Sequence, residues 1–278
     1  MKKFGLIGKD IQGSGSPALF KAAYAGKYAY NLLDGDDFKT LFQTFKKNYS
    51  AVNVTAPYKE EALRLADSMT MNAELCGAAN MLIKRPSAGV EADNSDLEGV
   101  ALSLMSAYSI ADVDVEDEDA FAEFLSDKKA LIVGCGGAGK AAAAAAVSMG
   151  YGRICLMNRS LDKAEALKEH FVEYFGEDLD PDDLETAPLD ELAARMEDSD
   201  LVIYTLPCPA GDKSELEALN LSKDTFILEA NYKTPYLEFL KDKCTYISGL
   251  NWLYNQAVVS FSEFTNETPD EDEMKKVL

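Results

Sequence analysis

Two residues, Lys59 and Asp96, have the types and positions that proton transfer requires. Lys59 ends the segment 53–59 (NVTAPYK), which follows an apolar run, and Asp96 ends the segment 92–96 (ADNSD). A lysine and an aspartate brought together could relay a proton to or from a carbinol oxygen, because hydride transfer leaves or requires a proton there. The alternative for Asp96 is an acid in the first turn of a helix, where the helix dipole favours it. Histidine, the commonest general base, occurs only once, as His170.

A glycine-rich turn at residues 134–139 (GCGGAG) is typical of a dinucleotide site, because it follows the apolar run 130–133 and opens an alanine-rich helical segment. Gly134 permits the tight turn, Gly136 lets the backbone approach a pyrophosphate, and Gly139 lets the helix pack close to the strand. The alternative is a glycine turn without a ligand. The cofactor-binding residues predicted in this turn are Gly134, Gly136, Gly137, Ala138 and Gly139.

The next apolar run, 153–157, ends in Asn158, Arg159 and Ser160, about twenty residues beyond the glycines. An NAD enzyme usually places Asp or Glu at this point, whereas an arginine can pair with a ribose 2′-phosphate. NADP is therefore the predicted cofactor, with Lys163 as a second cation. The alternative for Arg159 and Lys163 is exposed surface charge.

A pair of serines precedes the first helical pattern, in residues 13–17 (GSGSP). The sequence predicts Ser16 as the N-cap and Pro17 at the first helical position. Two hydroxyls at the positive end of a helix suit a carboxylate. Capping alone explains Ser16 but leaves Ser14 unexplained.

Short apolar runs alternate with helical patterns along the chain, which predicts an α/β fold with a mainly parallel sheet. Apolar spacing over residues 97–108 predicts a helix of about twelve residues, with Ser95 and Glu98 forming a capping box at its start. A final helix is expected over 252–264. The predicted strands are 4–7, 28–33, 51–54, 79–83, 130–133, 153–157, 201–205 and 225–229.

The composition is that of a globular protein of two domains: the chain has 278 residues, of which 47% are hydrophobic. A net charge of -21 argues against nucleic acid and anionic membranes as partners. Five cysteines are scattered without a CxxC pair, and no signal peptide or membrane span is apparent, so we expect a cytoplasmic protein. No metal site is predicted, because His170 has no nearby Cys or His.

Taken in order, these motifs resemble those of the shikimate dehydrogenase family. The segments 14–17, 53–60 and 94–96 and the glycine turn with residues 158–160 match in type and order. Two further matches are the segment 77–80 (GAAN) and the residues around 249–257.

The resemblance implies a fold of two domains with an active-site cleft between them. An N-terminal αβ substrate-binding domain, residues 1–109, is completed by C-terminal helices in 248–278. Residues 110–247 form a Rossmann-type NADP-binding domain. The implied activity is the reversible, NADP-dependent reduction of 3-dehydroshikimate to shikimate, in aromatic amino acid biosynthesis.

The resemblance also assigns roles to individual residues. Lys59 and Asp96 are the implied catalytic pair, and Ser14 and Ser16 bind the substrate carboxylate. The implied contacts with the rest of the substrate are Thr55, Asn80, Gln256 and Tyr232. The implied cofactor residues are those of the glycine turn with Asn158, Arg159, Ser160, Lys163, Thr205 and Gly249.

Several positions depart from the family pattern. Ser95 replaces the usual threonine before Asp96, Met81 replaces the threonine after Asn80, and the connection after Tyr232 is shortened. These departures leave open a related substrate, quinate or an amino-shikimate analogue, with discrimination near Ser14 and Ser16. A homologue that binds a ligand without turnover is the other alternative, and a monomer or a homodimer is expected.

Overall fold

The computed structural model describes residues 2–278, which form two compact units. One unit contains the chain up to Gly99 together with Leu253–Leu278, and the other contains Val100–Trp252. Both divisions fall inside helices, whereas the predicted boundaries, at residues 109 and 248, lie near the end of the first of these helices and just before the start of the second. The assignment of domains therefore stays a prediction.

Twelve strands and twelve α-helices are present among the described residues. The strands are β1 (Lys3–Gly8), β2 (Ala29–Asp34), β3 (Ala51–Val54), β4 (Ser68–Met69), β5 (Met81–Arg85), β6 (Gly89–Asp93), β7 (Lys129–Val133), β8 (Arg153–Met157), β9 (Leu184–Ala187), β10 (Leu201–Tyr204), β11 (Phe226–Glu229) and β12 (Thr245–Ser248). The α-helices are α1 (Ser16–Ala23), α2 (Phe38–Asn48), α3 (Lys59–Leu65), α4 (Met71–Cys76), α5 (Asp96–Ile110), α6 (Glu118–Ser126), α7 (Gly137–Met149), α8 (Leu161–Phe175), α9 (Leu192–Glu197), α10 (Lys213–Ala218), α11 (Gly249–Thr265) and α12 (Glu271–Lys275). Short 3₁₀ helices occupy Gly176–Asp178, Pro181–Asp183, Leu189–Glu191 and Glu238–Leu240.

The sheet of the second unit is wholly parallel, in the order β12-β11-β10-β7-β8-β9. Counted along its own strands this is the order 3-2-1-4-5-6 of doubly wound dinucleotide-binding sheets, with the reversal between β7 and β10. β7 and β10 are almost entirely buried apolar runs, as parallel strands covered on both faces require. The predicted α/β class and Rossmann-type sheet are confirmed.

The sheet of the first unit is mixed, in the order β2-β1-β3-β5-β6-β4. β5 runs antiparallel to both of its neighbours, β3 and β6, while the pairings β1–β2, β1–β3 and β4–β6 are parallel, so the expectation of a mainly parallel sheet is confirmed for this unit, with β5 as its antiparallel strand. The register places Asn53, Met81 and Asp93 side by side. Because β3 and β6 are both antiparallel to β5, their carboxyl ends lie at the same edge of the sheet.

Packing against the first sheet comes from amphipathic helices. In α2 the residues Phe38, Phe42 and Phe45 are spaced by four and three positions and are buried in the core. Asp37 caps this helix by accepting hydrogen bonds from the backbone of Lys39 and Thr40, each at 3.3 Å. The elements that carry the chemical groups are therefore held by an apolar core.

Each predicted strand overlaps an observed one, but β4, β6, β9 and β12 do not follow from the apolar pattern. β4 has only two residues, and the other three are short and partly polar, with β9 and β12 at the two edges of their sheet. The predicted last helix is observed as the longer α11, and it is not the last, because α12 follows it. Within residues 2–278, no helix combines the length and the apolar character needed to span a bilayer.

Candidate active site

Lys59 and Asp96 meet at the edge of the first sheet. Lys59 begins α3 just after β3, and Asp96 begins α5 just after β6, so both side chains start from the edge that these strand ends share. The Lys59 Nζ donates to Asp96 Oδ2 at 2.5 Å. The side chains are only 12% and 9% exposed. A charge pair so shielded from water is held tightly, because either charge alone would be costly to bury.

Asn80 is the centre of a second group of polar side chains in the same unit. Its Nδ2 donates to Ser95 Oγ at 3.0 Å and to Gln256 Oε1 at 3.5 Å, while its Oδ1 accepts from the Ser95 backbone N at 2.8 Å. The structure thus brings together Asn80 and Gln256, two of the predicted substrate contacts. The predicted capping box is wrong, because the Ser95 hydroxyl bonds with Asn80 and the Glu98 side chain accepts from Asn72 instead.

The two serines predicted to bind a carboxylate also lie together. Ser14 Oγ donates to Ser16 Oγ at 3.2 Å and accepts from the Ser16 backbone N at the same distance. The N-cap of α1 is Gly15, so the prediction of Ser16 as the cap is wrong by one residue. The Ser16 hydroxyl is therefore not a capping group, and its hydrogen bonds go to other side chains instead.

Tyr30 and Asn53 join the serines to Asn80, and neither was among the predicted site residues. Burial raises the pKa of Tyr30 far above its usual range, opposed by a hydrogen bond with Ser16. The Tyr30 hydroxyl donates to Asn53 Oδ1 at 2.8 Å, and Asn53 Nδ2 donates to the Asn80 carbonyl at 3.5 Å. Asn53 stands inside a segment that matched the family pattern, so that match could have indicated it. No sequence signal marks Tyr30.

Thr55 follows β3 and is fixed through its backbone, which donates to the Ile7 carbonyl at 2.9 Å. Its methyl group lies against Gly8, where an added Cβ would come within 2.5 Å of it. Among residues 2–278 the Thr55 hydroxyl has no hydrogen-bond partner, so the structure does not connect it to Asn80 or to the serines. It is available to a ligand hydroxyl.

In the second unit, the glycine turn lies at the point where the strand order reverses. Gly134 has a φ of +103°, and an added Cβ at Gly139 would lie 1.7 Å from the Gly134 carbonyl oxygen. Thr205 follows β10, and its hydroxyl donates to the carbonyl of Val133, the last residue of β7, at 2.9 Å. This hydrogen bond joins the ends of the two strands between which the order reverses. Ligands of doubly wound sheets bind at such a point.

Gly136 is the N-cap of α7, which lacks a side-chain cap, and an added Cβ there would have no protein atom within 4 Å among the described residues. Gly137, Ala138 and Gly139 form the first turn of the helix. Open space in front of a helix N-terminus fits a pyrophosphate, whose charge the backbone N–H groups and the helix dipole attract.

The residues after β8 fit the adenosine end of a dinucleotide. Asn158 Oδ1 accepts from the Cys135 backbone N at 3.3 Å, and its Nδ2 donates to the Ser160 carbonyl at 3.0 Å, which ties this segment to the glycine turn. Arg159 and Lys163 are exposed and form no ion pair within the part of the chain that the structure describes. Two unneutralised cations suit a 2′-phosphate. The residues present therefore fit NADP.

Tyr232 and Gly249 lie in the same unit as the glycine turn. Tyr232 follows β11, and the Lys233 Nζ lies 5.9 Å from the centre of its ring. Gly249 begins α11, where an added Cβ would come within 2.4 Å of the Ala230 carbonyl oxygen. Close packing alone accounts for Gly249, so its cofactor role stays a prediction. Within residues 2–278 no group of three His, Cys, Asp or Glu side chains is arranged to hold a metal.

Comparison with known proteins agrees with this arrangement. Residues 6–82 match the family model of the shikimate dehydrogenase substrate binding domain, and residues 118–210 match that of shikimate / quinate 5-dehydrogenase. The protein of Jannaschia sp. (strain CCS1) named shikimate dehydrogenase (NADP(+)) is 31% identical over 288 residues, which cover 99% of this chain and 96% of that protein. The chain belongs to the shikimate dehydrogenase family.

Solved structures of similar proteins support the family assignment. The shikimate dehydrogenase of Mycobacterium tuberculosis has a TM-score of 0.77 and 26% identity, over 100% of this chain and 98% of that one. The quinate dehydrogenase from Corynebacterium glutamicum, in complex with NAD, has a TM-score of 0.79, with 99% and 98% of the two chains covered. Because its identity is 22%, the second likeness shows the fold alone.

Proposed function

We propose that this member of the shikimate dehydrogenase family is an NADP-dependent oxidoreductase that interconverts 3-dehydroshikimate and shikimate, in aromatic amino acid biosynthesis. The observation that carries the proposal is the shielded hydrogen bond between Lys59 and Asp96, beside amide and hydroxyl groups that suit a polyhydroxylated ring. The name of the relative from Jannaschia sp. supports the substrate and the cofactor.

The substrate would be bound by the polar groups of the first unit. Ser14 and Ser16, at the N-terminus of α1, provide hydroxyl donors and a positive helix end for the carboxylate. Asn80, Gln256 and the hydroxyl of Thr55 provide hydrogen bonds for the ring hydroxyls. Tyr232 is proposed as a further substrate contact.

Lys59 and Asp96 would handle the proton at the reacting oxygen. In the direction of reduction, the Lys59 ammonium donates a proton to the oxygen as the carbonyl becomes an alcohol, and the Asp96 carboxylate stabilises and orients that ammonium. In the direction of oxidation, the pair accepts the alcohol proton. NADP, when bound, supplies or accepts the hydride.

The cofactor would be held by residues of the second unit. The turn around Gly136 and the N-terminus of α7 bind the pyrophosphate, and Asn158 orders the adjoining segment. Arg159 and Lys163 select the 2′-phosphate of NADP over the free hydroxyl of NAD. We also propose a cytoplasmic location, because all five cysteines are free thiols, as reducing compartments maintain them.

The test is a set of initial rates for the purified protein with shikimate or quinate, each against NADP⁺ and NAD⁺. We expect the highest kcat/KM for shikimate with NADP⁺. A higher kcat/KM for quinate would replace the proposed substrate with the alternative one. Shikimate binding without NADPH formation, in protein shown to be folded by circular dichroism, would favour a homologue without turnover.

A further inference from the structure

A fully buried carboxylate, Glu229, lies at the end of β11 and has no part in the proposed chemistry. Its side chain is 0% exposed. Its Oε1 accepts from the Tyr236 backbone N at 2.5 Å, and its Oε2 accepts from the Leu237 backbone N at 2.9 Å and from the Tyr246 hydroxyl at 2.8 Å. A charged acceptor enclosed by three donors is a strong, directional anchor.

The anchor closes a short loop. Residues 230–236 leave the end of β11, and the carboxylate of the residue before them binds the backbone at their far end. Inside the loop, Asn231 Nδ2 donates to Thr234 Oγ1 at 3.1 Å and the Thr234 backbone N donates to Asn231 Oδ1 at 3.2 Å. Ala230 N donates to the Tyr204 carbonyl at 2.9 Å, which fixes the start of the loop on β10.

Tyr232 lies inside this closed loop, between Asn231 and the anchored residue Tyr236. Most of the hydrogen bonds that hold the loop involve backbone N–H groups on both sides of Tyr232. These bonds therefore determine the path of the backbone at Tyr232. We propose that Glu229 is a positioning residue that holds Tyr232 in the place where it contacts the substrate. The inference rests on the proposed function, in which Tyr232 is a substrate contact.

The anchor requires a carboxylate in particular, because all three of its partners donate. Burial and the hydrogen bond to Glu229 raise the pKa of the Tyr246 phenol, so this group remains protonated and continues to donate. A glutamine side chain would place an NH₂ group opposite a donor. At least one of the three bonds would then be lost, and the loop would be released at one end.

The experiment compares the wild type with Glu229→Gln, Tyr232→Phe and the double variant, by kcat and KM for shikimate at saturating NADP⁺. We expect Glu229→Gln alone to lower kcat/KM by about tenfold or more, as for other losses of precise placement. In the Tyr232→Phe background we expect little further loss, because the hydroxyl that Glu229 positions is already absent. Glu238→Gln, an exposed acid just after the same loop, is the control and should leave both constants unchanged.

Two outcomes would overturn the inference: wild-type kinetics in folded Glu229→Gln, or an equal loss of kcat/KM in both backgrounds, which would indicate a merely structural role. If Glu229→Gln does not fold, Tyr246→Phe removes one of the three donors and keeps the ring. It should then give a smaller loss that again depends on Tyr232, and a loss independent of Tyr232 would contradict the inference. Failure of the proposed function is distinguishable, because the wild type would then be inactive with shikimate.

Discussion

The ammonium of Lys59 and the carboxylate of Asp96 lie 37 residues apart in the sequence and 2.5 Å apart in the structure. The link between them is β5, which runs antiparallel to both β3 and β6 and so brings the ends of those strands to one edge. Each residue begins a helix at that edge. A proton donor and the group that orients it are thereby built on rigid elements.

Lys59→Ala should reduce turnover by about a hundredfold or more with a modest change in the KM for shikimate, as expected when a proton-transfer group is removed. The substitution also breaks a shielded ion pair, which typically costs about 3–5 kcal/mol of stability. Rates are therefore measured well below the melting temperature, which is determined for each variant. Lys39→Ala, in the exposed first turn of α2, is the matched control. Unchanged turnover in Lys59→Ala would remove this lysine from the mechanism.

Alanine should cost much more stability at Gly139, in the first turn of α7, than at Gly136, the N-cap of that helix. At Gly139 the new Cβ would lie 1.7 Å from a backbone oxygen, so Gly139→Ala should lower the free energy of unfolding by about 1–3 kcal/mol. At Gly136 the space is open, so Gly136→Ala should cost no more than about 1 kcal/mol, the loss of a favourable N-cap.

Gly136→Ala should instead weaken NADP⁺ binding by about tenfold, or about 1.4 kcal/mol, because the methyl group occupies the approach of the pyrophosphate. Urea denaturation and calorimetric titration with NADP⁺ measure the two quantities separately. Wild-type affinity in Gly136→Ala would show that the cofactor does not approach this glycine.

The sequence indicates the cofactor site more completely than the substrate site, for a physical reason. The glycine turn is local: a strand, a turn and a helix N-terminus follow one another, and their geometry depends on neighbouring residues. The pairing of Lys59 with Asp96 depends on β6, a partly polar strand that the apolar pattern does not predict, and on its register with β5.

Tyr30 shows the same limit. Its hydrogen bonds with Ser16 and Asn53 join three separate elements. The residues around Tyr30 in β2 do not indicate that its hydroxyl belongs to a group of hydrogen-bonded polar side chains. The hydroxyl of Ser95 illustrates the reverse case. Its local spacing with Glu98 predicts a cap, but a partner distant in sequence, Asn80, takes the hydrogen bond.

Arg159→Ala should raise the KM for NADP⁺ by about tenfold or more, since hydrogen bonds to charged groups contribute about 1.5–3 kcal/mol. The KM for NAD⁺, which has no 2′-phosphate, should change little. Arg153→Ala is the matched control, because this arginine is also exposed and lies at the opposite end of the same strand, β8. Equal effects on the two cofactors would contradict a role of Arg159 in recognising the 2′-phosphate.

Asp93 should make the protein less stable as the pH rises through the acid range. Burial raises the pKa of Asp93, and hydrogen bonds from Thr70 and the Asn94 backbone only partly oppose this. Between the ordinary value of 3.8 and the higher pKa of the folded protein, the folded state binds more protons than the unfolded chain. The free energy of unfolding therefore falls as the pH rises through this interval, and the loss is complete above it.

Asp93→Asn keeps an oxygen that can accept both hydrogen bonds and removes the charge that burial disfavours. We therefore expect the variant to be more stable than the wild type near neutral pH and equally stable below the interval, where the wild-type carboxyl is protonated. Urea denaturation across pH 3 to 8 measures the difference, with the exposed Asp242→Asn as the control. A stability difference that does not change with pH would show that the charge of Asp93 is not its cause, because only a group titrating differently in the folded and unfolded states produces that dependence.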